Sequence, residues 1–216
     1  MMRYLLAVLL VTVCAFPAYA EGPALFKEFS YGQPRAEVEK LPGVLPCDEI
    51  APGALCRQNQ SFAGSSDWLQ AFVFDKGKLS MVALAGPASG DSYTKVVGVM
   101  TNNGFIPTTL QSGDKMFDML KALPEKGEKA AIAELTAFEA AALNGDAGLT
   151  YTFIPKDALK GAAKYGSYAQ FVFNAPESLR ATELELAGDE MFVRFIAPRA
   201  ALNDMKQQME SQKESF

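Results

Sequence analysis

The chain of 216 residues contains no histidine, and this removes much of the chemistry an enzyme could use. Ser-His-Asp and Cys-His catalysis need an imidazole base, and the usual zinc sites need an imidazole ligand. No other side chain shuttles protons near neutrality without a perturbed environment. Paired carboxylates remain, and glycoside hydrolysis needs only two placed acids. The clustered candidates are Glu37/Glu39, Asp48/Glu49, Glu183/Glu185 and Asp189/Glu190. The i,i+2 pairs flank Val38 and Leu184, a pattern that reads more simply as the solvated side of an amphipathic element. The acids are too scattered for a calcium loop, which takes ligands at alternate positions around a central glycine.

Ser92 sits in two patterns that recur in hydrolases. Gly90-Asp91-Ser92-Tyr93 is similar to the opening of a GDSL-type esterase, but that enzyme requires a histidine base. Ser92-Tyr93-Thr94-Lys95 fits the S-x-x-K pattern of penicillin-binding enzymes, yet the partner K-T-G and Ser-Asp-Asn elements are missing. Asp91 and Ser92 make better sense as helix caps. Gly86 to Gly90 carries no Gly-Lys-Ser/Thr, so it cannot cradle a phosphate in the P-loop manner. No catalytic residue, no metal site and no cofactor is therefore expected.

The N-terminus points to export. Met1-Met2-Arg3 is followed by an apolar run from Tyr4 to Phe16, then Pro17 and the small-residue pattern Ala18-Tyr19-Ala20. This pattern predicts a signal peptide over residues 1–20, cleaved at Ala20-Glu21 to leave a periplasmic or secreted chain. Val13 before Cys14 argues against a lipoprotein. No later stretch approaches the ~20 apolar residues of a membrane span. The formal charge of −5, without a basic cluster, disfavours nucleic acid as a partner. Cys47 and Cys56 then remain as an even pair at short spacing, expected to form a disulfide in an oxidising compartment. A redox pair would want closer C-x-x-C spacing at a helix start.

Positioning falls to elements of both kinds. Trp68 to Ala85 reads as two apolar strands joined by Asp75-Lys76-Gly77-Lys78, with Gly77 placed for positive φ. Leu55 to Phe62 reads as a strand before it. Helices are expected over 35–41, over 93–102, over 114–123 with Pro124 as its stop, over 128–143 and over 198–209. The stripe of the 128–143 helix is Ile132, Leu135, Phe138, Ala142 and Leu143. Further strands are expected over 105–110, 149–154, 168–173, 181–186 and 191–196, and a short helix over 156–165. Trp68, the only tryptophan, is the residue singled out for recognition, at a strand edge beside Gly64-Ser65-Ser66-Asp67. Its alternative is a core aromatic with its N–H capped. Met205 and Met209 read as a docking stripe.

Phe72-Val73-Phe74-Asp75 is echoed by Phe171-Val172-Phe173-Asn174, each followed by a turn and a strand ending in Ala-Gly. That is the pattern of two tandem helix-plus-β-hairpin modules. The first half, with Phe29, Gly32, Val38, Phe72, Phe74, Lys78 and Leu79, resembles the exported α+β modules of β-lactamase inhibitory proteins and of small outer-membrane-assembly lipoproteins. The chain lacks the lipobox cysteine of the latter, and its alanine-rich helix departs from the former. The resemblance implies a fold and no chemistry. The expected fold is α+β, an antiparallel sheet packed against helices. The first module spans 21–112 with the Cys47–Cys56 loop, and 113–216 holds a helical segment, a second β-rich module and a C-terminal helix. The expected function is non-catalytic binding of another protein or component of the bacterial envelope through an exposed sheet face. Carriage of a small apolar or lipid ligand is the second reading, and a histidine-free hydrolase the third.

Overall fold

Short β signals open the chain. β1 (Ala24–Phe26) and β2 (Phe29–Ser30) pair with each other, and α1 (Arg35–Val38) is one helical turn after Pro34. β3 (Leu45–Pro46), β4 (Leu55–Phe62), β5 (Ser65–Asp75) and β6 (Lys78–Pro87) follow as a run of antiparallel strands. Lys76 and Gly77, at φ 49° and 75°, make the left-handed two-residue turn that matches strand twist in a β5–β6 hairpin. The computed structural model describes residues 22–145 and 147–211, so the expected signal peptide and its cleavage site lie outside the described residues.

The second half begins with α2 (Gly90–Asn102), then β7 (Phe105–Ser112), β8 (Lys115–Asp118), α3 (Met119–Lys126) and α4 (Glu128–Leu143). It ends with β9 (Leu149–Pro155), α5 (Tyr168–Asn174), β10 (Ala181–Ala187), β11 (Glu190–Ile196) and α6 (Pro198–Ser211). The fold is α+β. One antiparallel nine-stranded sheet runs in the order β3-β4-β5-β6-β11-β10-β9-β7-β8. β4-β5-β6 and β9-β10-β11 are thus two three-strand sets in mirrored order, meeting at the β6–β11 pair. The boundary expected at 112/113 falls in the turn between β7 and β8, within this sheet.

Several expectations change. Phe171-Val172-Phe173 is helix α5 and not a strand, because Ser167 accepts from the Gln170 amide and starts a helix there. The residues over 114–123 divide into β8 and α3, since Asp118 accepts from the Leu120 amide and delays the helix to Met119; Pro124 lies inside α3. The expected helix over 156–165 is turns with one 3₁₀ turn at Ala162–Lys164. Neither Asp91 nor Ser92 is the N-cap of α2. Ser89 takes that place, and Ser92 completes the capping box three residues on. On α4 the buried residues are Ala131 and Ala142, with Leu135 and Phe138 half-buried, whereas Ile132 and Leu143 face outward at 48% and 49% exposure. Alanine on every side blurs the stripe that would fix the helix rotation.

The two sheet faces differ in cover. Register partners share a face, so Gln70, Leu84, Val193, Leu184, Tyr151, Leu110 and Phe117 line one row across the first face. All seven are buried, and Val38, Val96, Met100, Ala131 and Ala142 of the helices join the core they begin. Phe72 belongs to this core, its ring 4.7 Å from that of Phe29. Burying such a side chain contributes about 1.5–3 kcal/mol.

Candidate binding face

Among the described residues, two hydrophobic clusters cover parts of the second face. On β4, β5 and β6 the cover is the Cys47–Cys56 loop, whose Cys47, Ala51 and Ala54 pack on Ala71, Ala83 and Leu69. The expected disulfide is present, with S–S 2.01 Å and Cα–Cα 5.7 Å. Asp48 holds the loop by accepting from the Gly53 amide at 2.7 Å, and Arg35 donates to the Gly53 carbonyl. On β9 and β10 the cover is the segment around α5, where Ala162, Phe171, Ala175 and Leu179 pack with Ile154 and Ala181.

Between these covers runs a more open strip of sheet, bordered by Leu69 at the edge of the first cover. One row reads Leu69, Ala85, Phe192, Glu185, Thr150, Gln111 and Met116 by register. The first five are half-buried, Gln111 is exposed, and Met116 is 62% exposed. The neighbouring row carries Arg194 opposite Glu183. Strand alternation produces this arrangement. In β10, Leu184 points into the core while Glu183 and Glu185 point out; in β11, Met191, Val193 and Phe195 point in while Phe192 and Arg194 point out.

Arg194 organises the strip. Its guanidinium bonds Glu185, lies 3.8 Å from Glu183, and stands 5.8 Å from the Phe192 ring centre. Burial pushes the Glu183 carboxyl above its ordinary value, while Arg194 pulls it down and Glu185 adds to the rise. Burial likewise raises the Tyr168 hydroxyl, and the Glu183 and Asp118 carboxylates add to it. Asp118 accepts from the Leu120 amide with one oxygen and from the Tyr168 amide at 2.8 Å with the other, tying the starts of α3 and α5 together. Arg194 thus bridges two carboxylates across the surface of the sheet. The strip is apolar at Leu69, Ala85 and Phe192, charged at its centre, and hydroxylic at Thr150. A hollow of about 470 Å³ between Glu185, Thr150, Gln111 and Gly188 continues it toward the strand ends.

The other candidates are dispersed. Trp68 is 2% exposed, edge-on to Phe62 at 5.3 Å and against Gly86, where an added Cβ would lie 2.8 Å from the ring. This is the placement of a core aromatic on the first face. Ser92 donates its hydroxyl to the Pro87 carbonyl at 2.8 Å, and Lys95 turns to Asp91 at 2.7 Å, so the S-x-x-K spacing builds no nucleophile–base pair. Glu39 pairs with Arg35 at 2.8 Å, Glu37 accepts from Gln33 at 3.5 Å, and Asp189 and Glu190 are exposed around the β10–β11 turn. Glu183 and Glu185 are not the solvated pair expected, because Arg194 folds back across both. Met205 and Met209 are 51% and 58% exposed on the outer side of α6. Sequence reasoning missed Phe192 and Arg194. Their signal was the alternation of Met191 to Phe195 across a turn from Glu183-Leu184-Glu185.

Among the described residues no cluster could hold a metal ion, and no helix is long and apolar enough to cross a membrane. The chain matches no family model, no curated protein and no solved structure.

Proposed function

We propose that the chain is an exported, non-catalytic binding protein of the bacterial envelope that takes a partner protein on the open strip of the second sheet face. The observation that carries this reading is the strip itself: Phe192, Arg194, Glu183 and Glu185 stand half-exposed between two covered regions. Aromatic and arginine side chains, here Phe192 and Arg194, are enriched at interface centres, where few residues supply most of the energy. The disulfide fits an oxidising compartment, and the N-terminal segment supplies the export signal. The likeness to envelope-protein modules, read from the first half of the sequence, supports the same setting.

The test is affinity capture from envelope extracts with the wild type, Phe192→Asp and Ile132→Asp. The strip reading expects a specific partner that Phe192→Asp loses at least tenfold and Ile132→Asp retains. Equal capture by all three proteins would overturn it.

A further inference from the structure

Three buried N–H donors on the first sheet face have no acceptor among the described residues: Nε of Arg57, Nε2 of Gln70 and Nε1 of Trp68. Their positions are neighbours. Arg57 and Gln70 are register partners across β4 and β5, and Trp68 and Gln70 are two apart on β5. Alternation places all three on one face, with Trp68 and Gln70 about 7 Å apart along the strand.

The orientation of Gln70 is fixed by chemistry. Arg57 donates to its side-chain oxygen at 2.8 Å, and a guanidinium can only donate. The amide nitrogen of Gln70 therefore faces away from Arg57 and needs an acceptor of its own. Gln70 is 1% exposed and Trp68 2% exposed, so bulk water does not serve either group. Arg57 is half-buried and forms no ion pair among the described residues. A buried unpaired donor costs about 1–3 kcal/mol, and a charged one more. A water molecule accepts at most two hydrogen bonds, one fewer than the three donors here, and leaves the Arg57 charge unanswered. A negatively charged acceptor answers both the geometry and the charge.

We propose that Arg57, Gln70 and Trp68 form a binding site for one small monovalent anion, a halide or a simple carboxylate. Access is from the sheet edge, since β3 pairs only with Leu55 and Cys56 and leaves Arg57 without a strand neighbour outside β4. The Trp68 ring is held in place by Gly86 beneath it and Phe62 at its edge. The site lies on the face opposite the open strip, so it stands or falls independently of the partner reading.

Trp68 is the only tryptophan, and its emission reports directly on its N–H. Emission is followed while sodium bromide or sodium formate replaces sodium gluconate, a bulkier anion, at constant ionic strength. The wild type is expected to show a saturable change. Gln70→Leu should bind at least tenfold more weakly, and Arg57→Leu should show no saturable phase. Should Arg57→Leu fail to fold, Gln70→Leu decides alone. A response that is absent, or linear and identical in wild type and Gln70→Leu, would overturn the proposal.

Discussion

Phe72-Val73-Phe74 and Phe171-Val172-Phe173 are the same three residues in two secondary structures, and the contrast shows what their surroundings decide. In β5, Phe72 is fully buried, and the strand returns through Lys76-Gly77 into β6. In α5, Phe171 is 4% exposed and Phe173 53% exposed. Residues two apart share a side on a strand and diverge on a helix. Nothing within the triplet chooses between these outcomes. The choice lies in the flanks: a glycine at positive φ after the first, and a serine cap before the second. The two strand sets, β4-β5-β6 and β9-β10-β11, differ in the same way. Matching strands carry unlike covers, a disulfide loop on one and a short helix with its turns on the other.

Truncation of the paired phenylalanines should break the equivalence most sharply. Phe72→Ala is expected to cost about 3–5 kcal/mol, the range for a buried phenylalanine. Phe173→Ala should cost no more than about 1 kcal/mol, since Phe173 is 53% exposed and its ring meets the half-buried cations Lys206 and Arg199. Denaturant melts of the two variants measure both, and similar losses would mean that the two segments play the same role after all.

The covers come next. Opening the Cys47–Cys56 loop with a double serine variant should lower stability by about 2–3 kcal/mol, chiefly by freeing the unfolded chain. Non-reducing peptide mapping should find the pair linked. On the other cover, Ser167→Ala should cost about 1 kcal/mol through loss of the α5 cap. A neutral result there, in a chemical melt, would return the segment to a strand or loop.

The smallest effect concerns the strip. Burial raises the Glu183 carboxyl above its unfolded value. Its ionisation therefore costs more in the folded chain than in the unfolded one. Wild-type stability relative to Glu183→Gln should be highest at pH below the ordinary carboxylate range. It should fall as pH rises from there through the raised value, then stay level. Melts of both proteins across the acid range should show this slope; a difference rising with pH would mean that Arg194 outweighs the burial.

Much of the sheet was legible in the sequence. β5, β6, β9, β10 and β11 are bounded by glycine turns, and their apolar residues either run on or alternate at the strand period. β8 was not legible, because Lys115 to Asp118 is four residues that merge with the apolar spacing of α3. The inward side of α4 was hidden by alanines that satisfy any rotation. Glu183 and Glu185 were visible as a pair, but their cation was not: only the β10–β11 register brings Arg194 opposite Glu183. The buried place of Trp68 depended on Gly86, which the β5–β6 pairing sets against its ring.

The most direct test of the open strip is a photo-crosslinking amino acid placed at Phe192, expressed in the native envelope, with a second protein carrying it at Ala137 on the exposed side of α4. The strip account predicts a discrete crosslinked band from position 192 that is absent from position 137 and abolished when Glu185→Arg is added. Bands of equal intensity from both positions, or none from position 192, would contradict it.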